Sequence, residues 1–88
     1  MIKKTVRLIQ KTVEAEAFKV TLSYCRGEQE LPFNKVIVKK GFEYLLVETR
    51  KGSIIAHLGD WIVKNTDGEV FPVSEAHLYD DYYILSSF

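Results

Sequence analysis

The sequence predicts a small, mainly β domain with one short helix. Three observations carry that expectation. From Tyr44 onward, apolar runs of strand length are separated by turn residues: YLLVET, RKG, SIIAHL, GD, WIVKN, TDG, EVFPV. Two of those turns end on glycine. A serine followed by an acid then marks a helix start. The expected architecture is a small antiparallel meander sheet or a partly closed barrel, formed by residues 1–88 as a single domain. Its strands lie near 5–9, 13–22, 35–40, 44–49, 53–58, 61–65, 69–73 and 83–85, with a short helix near 75–81.

Taken in order, Thr5 to Ile9 and Val13 to Leu22 alternate as strands do, Cys25 to Pro32 reads as loop, and NKVIVKK reads as strand. Arg50-Lys51-Gly52 and Thr66-Asp67-Gly68 both read as three-residue hairpin loops, a type I turn closed by a left-handed glycine. Gly52 and Gly68 are therefore expected at positive φ, where glycine has no Cβ penalty. The first loop pairs Val47 with Ile54 and Leu45 with Ala56; the second pairs Val63 with Phe71 and Trp61 with Val73. Between them, Leu58-Gly59 or Gly59-Asp60 reads as a two-residue hairpin turn.

One face then collects Leu45, Val47, Ile54, Ala56, Trp61, Val63, Phe71 and Val73, which makes Trp61 a core residue. A one-residue slip would scatter this set. The opposite face, with Tyr44, Leu46, Ile55, His57, Ile62, Lys64 and Val70, is too apolar to lie fully in water. After the sheet, Ser74 caps the short helix, and Tyr83-Ile84-Leu85 returns as an edge strand.

With 47% apolar and 27% charged residues, the composition is that of an ordinary globular protein. It offers no apolar run near the roughly 20 residues that span a bilayer. The start, MIKKTVRLIQK, interrupts its apolar residues with charges, unlike a signal peptide. Cys25 is the single cysteine, so no internal disulfide forms and a reducing cytoplasm is expected. Charge is zero overall but uneven. Residues 1–51 hold eleven of the twelve bases and six of the twelve acids, giving +5, and the remainder is −5.

No phosphate-cradling glycine loop and no nucleophile elbow is present. Cys25, His57 and His77 are too scattered to predict a metal centre, and His57 reads as a half-buried, hydrogen-bonded strand residue. Asp60 beside Trp61 reads as a turn residue whose carboxylate caps nearby N–H groups. Glu69 falls at the far end of the same hairpin, too distant for paired acid–base work. The expectation is a protein that is not an enzyme and needs no cofactor or metal. A basic groove for nucleic acid could use Lys35, Lys39, Lys40, Arg50 and Lys51 with Phe33 and Phe42. A pI near 6.7 is far below that of a dedicated binder, so nucleic acid is not the expected partner. The tail cluster Tyr79-Asp80-Asp81-Tyr82-Tyr83 suits a protein partner better, since tyrosine supplies large contact area at little entropy cost.

Gly59-Asp60-Trp61-Ile62 followed by Gly68-Glu69-Val70-Phe71-Pro72 resembles a family of short, largely uncharacterised bacteriophage and prophage proteins. Thr49 with Gly52, Leu78 with Tyr82, and Val13-Glu14-Ala15 fit the same order of elements. Such proteins usually follow the Val-Glu-Ala strand with a short helix, whereas residues 19–42 here read as strand and loop. The motif residues Gly59, Asp60, Trp61, Gly68, Glu69, Phe71 and Pro72 all have turn or core roles as well. Together with the tail, the resemblance implies a non-catalytic accessory protein of the bacterial cytoplasm. It would bind and modulate a host protein, such as one of antiviral defence, and self-association is compatible with that. The competing readings are a small-ligand or nucleotide-binding barrel and a weak nucleic-acid-binding module.

Overall fold

The computed structural model describes the backbone of residues 6–10, 13–38, 42–81 and 83–87, and the side chains of residues 15–38 and 42–80. In chain order the elements are β1 (Val6–Gln10), β2 (Val13–Lys19), α1 (Leu22–Cys25), β3 (Val36–Val38), β4 (Tyr44–Thr49), β5 (Gly52–His57), β6 (Trp61–Lys64), β7 (Val70–Val73), α2 (Glu75–Asp81) and β8 (Tyr83–Ser87). The fold is mainly β, as expected, but its strands form two antiparallel sheets. The larger has the order β7-β6-β2-β1-β8, the smaller β3-β4-β5. No barrel closes among the described strands.

Both hairpin registers match the sequence reading. Val47 lies opposite Ile54 and Leu45 opposite Ala56, while Val63 faces Phe71 and Trp61 faces Val73. Gly52 and Gly68 have φ of +110° and +85°. The first loop is shorter than expected, however. Thr49 pairs with Gly52, so only Arg50 and Lys51 form the turn, and Gly52 is the first residue of β5. The Thr49 hydroxyl closes it by donating to the Gly52 carbonyl at 2.8 Å. The second loop has three residues, with the Gly68 N–H donating to the Asn65 carbonyl and the Asn65 N–H to that of Glu69.

The larger corrections concern what lies between and before these hairpins. Leu58-Gly59-Asp60 is a crossover between the two sheets and not a hairpin turn, because β6 pairs with β2 and not with β5. The expected single apolar face is accordingly divided. Leu45, Val47 and Ala56 join Phe18, Val20, Ile62 and Val70 between the sheets. Trp61 and Val63 join Ala15, Ala17 and Leu78 on the other side of the larger sheet, with Phe71 and Val73 packed against them.

Strand character also stops at Lys19, short of the expected Leu22. Val20 exchanges backbone hydrogen bonds with Gly59 and Asp60, and the chain then turns into α1. This helical turn buries Tyr24 and Cys25 in the inter-sheet core. It ends in a Schellman arrangement: the Glu28 N–H donates to the Ser23 carbonyl, the Gly27 N–H to that of Tyr24, and Gly27 has φ of +73°. The expected strand at 35–40 is described as Val36–Val38, residues 39–40 lying outside the described residues. β8 is an edge strand, as expected.

Candidate functional site

The Gly-Asp-Trp turn is built from backbone chemistry. Gly59 sits at φ of +89° and lets the chain reverse. The Asp60 N–H donates to the His57 carbonyl, and the Asp60 carboxylate accepts the His57 N–H at 3.0 Å. The His57 side chain is exposed, not half-buried as expected; Asp60 holds its backbone. Trp61 is 8% exposed, and its indole N–H donates to Glu75 Oε2 at 2.9 Å. Lys19 Nζ reaches the same oxygen at 3.0 Å. These two contacts, the indole bond first, hold the Glu75 carboxyl below the usual carboxylate range. Asp60 and Glu69 stand at opposite ends of the β6–β7 hairpin, and Glu69 faces Arg50 at 3.4 Å. Pro72 lies on an edge strand between Phe71 and Val73, which make the ladder bonds to β6, so its missing N–H costs none.

That cluster anchors α2. Ser74 caps it, its hydroxyl accepting the His77 N–H at 3.2 Å, and Leu78 is fully buried under the larger sheet. The helix consequently presents Tyr79, 56% exposed, and an exposed Asp80 from a fixed base. Asp81 is the last residue of α2 and Tyr83 the first of β8, but their side chains, and Tyr82 altogether, lie outside the described residues.

Of the residues that a basic groove could have used, the described ones are placed as follows. Phe33 is buried, stacked edge-on against Phe18 with ring centroids 5.2 Å apart, and offers no platform for a base. Arg50 is engaged by Asp67 and Glu69, linking the turns of the two hairpins. Lys39 and Lys40 lie outside the described residues. An open cleft of about 290 Å³ is lined by Asn34, Lys35, Lys64 and Asp67, with Phe33 and Val70 at its base. The Lys64 ammonium lies 5.7 Å from the Phe33 ring centroid. Cys25 is buried; desolvation and then the Glu43 charge push its thiol pKa up, which disfavours the nucleophilic thiolate. Among the described residues no three His, Cys, Asp or Glu side chains gather as metal ligands.

One surface departs from the sequence reading, which expected the face with Tyr44, Leu46 and Ile55 to be partly covered. In the smaller sheet, Ile37, Leu46 and Ile55 are aligned across all three strands on the side away from the core. Ile37 is 44% and Ile55 42% exposed, and Phe42, 52% exposed, packs against Tyr44, two residues from Leu46 along β4. The alternation of NKVIVKK and YLLVET signals a strand with two apolar faces, but not which of them stays open. No helix among the described residues is long and apolar enough to cross a membrane. No protein-family model, curated protein or solved structure matches this chain.

Proposed function

We propose that this chain is a non-catalytic accessory protein of the bacteriophage or prophage kind, which binds and modulates a host protein in the bacterial cytoplasm. Interference with an antiviral defence is the role that fits such a protein. The observation that carries the reading is the outer surface of α2. A capped helix, pinned by Trp61, Lys19 and Glu75, holds Tyr79 and Asp80 in solvent. A preorganised tyrosine beside an acid suits a basic protein surface, with the charge acting mainly on association rate. The helical turn α1, following the strand that contains Val13-Glu14-Ala15, also supports the resemblance to phage proteins.

The test is capture from bacterial lysate followed by titration with the purified partner. Tyr79→Ala and the Asp80→Ala, Asp81→Ala pair should weaken binding, while a Lys39→Ala, Lys40→Ala, Lys51→Ala variant should retain it. Loss of capture in the lysine variant alone, or nucleic acid held at physiological salt, would point to phosphate-driven binding and defeat the proposal. The cleft between Lys35 and Lys64 favours a second reading, a small anionic ligand. Its size is at the lower end for ligand pockets. Binding of a nucleotide that disappears in Lys64→Ala, with no macromolecule captured, would promote it.

A further inference from the structure

We infer that the chain self-associates through the free edge of β5, pairing antiparallel with β5 of a second copy about a two-fold axis at Ile54. The inference starts from which backbone groups that edge leaves unpaired. The Glu48 N–H donates to the Lys35 carbonyl at 2.9 Å, so Glu48 turns its backbone toward β3 and its pair with Ser53 is not hydrogen-bonded. Alternation along the ladder then assigns the β4 bonds to Gly52, Ile54 and Ala56. Ser53, Ile55 and His57 point their N–H and C=O groups outward. At His57 both are used, by the carboxylate and the N–H of Asp60. Among the described residues, the N–H and C=O groups of Ser53 and Ile55 have no partner.

Only one self-pairing satisfies all of these. With Ile54 opposite Ile54 of the second copy, each Ser53 exchanges hydrogen bonds with Ile55 of the other chain. A pairing centred on Ile55 would instead set Ser53 against the capped His57. The same register explains an odd side chain. Ile54 belongs to the core-facing row with Val36 and Val47, which are buried, yet it is 41% exposed at the end of that row. A second Ile54 directly opposite completes the row. Charge agrees too: Lys51 falls beside His57 of the second copy, next to the Asp60 carboxylate of that turn.

The edge also lacks the devices that normally prevent such pairing. Lysine, proline or a bulge usually protects an exposed edge, and Ser53-Ile54-Ile55-Ala56 has none of these. The edge of β7 is different. Because the Asn65 N–H bonds the Glu69 carbonyl, the ladder bonds fall at Phe71 and Val73, and Pro72 presents its missing N–H to the free side. One edge is blocked and the other is open.

Sedimentation equilibrium of the full chain from micromolar to millimolar concentration should show a reversible doubling of the 10.2 kDa mass. Ile54→Lys sets two ammonium groups against each other at the axis and should weaken association by about tenfold or more, a change of about 1.4 kcal/mol. Its far-UV circular dichroism should match the parent. Register is read independently with one added cysteine at a time under mild oxidation, the native Cys25 being buried. Ile54→Cys should cross-link, since directly opposed residues of a non-hydrogen-bonded pair lie about 4.5 Å apart between Cα atoms, within disulfide reach. Ile55→Cys should not, being diagonal to its copy at about 7–8 Å. If Ile54→Lys loses its fold, the cysteine pair decides. A chain that stays monomeric throughout, a dimer indifferent to Ile54→Lys, or cross-linking at position 55 in preference to 54 overturns the inference. None of these outcomes depends on host-protein binding through α2.

Discussion

The two sheets carry similar apolar rows on their outward faces, yet one row is buried and the other meets solvent. In the larger sheet, Ala15, Ala17, Trp61 and Val63 are covered by α2 through Leu78. In the smaller sheet, Ile37 and Ile55 are exposed. Hydrophobicity does not separate them; connectivity does. After β7, Ser74 starts a helix that folds straight back onto the larger sheet. After β5, the Leu58-Gly59 turn sends the chain directly into β6, with no helix between. The covered face therefore works as core. The open one is free for contact with another surface, a use that apolar sheet faces commonly serve.

The comparison is most severely tested by Trp61→Ala. Removing an aromatic side chain from under α2 should cost about 3–5 kcal/mol, measured by denaturant unfolding; tryptophan emission of the native parent should be blue-shifted and resist quenching. A solvent-like emission would break the contrast at its root. Gly68→Val should cost about 1–2 kcal/mol, the penalty for a branched residue in the left-handed region. No neighbour lies within 4 Å of an added Cβ there, so the loss would report backbone strain alone. Ser74→Ala should cost about 1 kcal/mol by leaving the His77 N–H without its cap, and hydrogen exchange in α2 should rise more than in β4.

On the open face, Ile37→Thr should change stability by no more than about 0.5 kcal/mol, as for ordinary surface positions. A loss comparable to that of Trp61→Ala would mean the row is covered after all. Acid gives the mildest probe. The Glu75 pKa is lowered in the folded state, so its contribution is complete above the unfolded carboxylate range and is lost as pH falls through the folded value. The unfolding midpoint should drop in that window, with Trp61 fluorescence changing alongside, and Glu75→Gln should flatten this part of the profile.

Much of this molecule is legible without its structure, and the reason is local. Hairpin registers depend on a few turn residues and on period-two alternation, so Val47 opposite Ile54 and Trp61 opposite Val73 follow from the chain itself. The cap at Ser74 and the positive φ of Gly52 and Gly68 are local in the same sense. The acidic aromatic tail is visible as a string of residues, but its exposure at Tyr79 follows from the burial of Leu78 one residue earlier. The helical turn at Leu22–Cys25 left one faint mark, Gly27 at the position that ends a helix, and it formed because Tyr24 and Cys25 found a core to enter.

Other features have no local signal. Leu58-Gly59 closes a tight turn whether the following strand pairs with β5 or crosses to β2, since the bond from the Asp60 N–H to the His57 carbonyl serves either path. Pairing between residues far apart in sequence settles it: Phe18 opposite Ile62 fills the space between two sheets that a single meander would leave open on one side. The same choice divides the apolar rows, directs α2 to one of them and exposes Ile37 and Ile55. Alternation along a strand states that two faces differ, or that both are apolar. Only the packing of distant segments determines which face meets protein and which meets water.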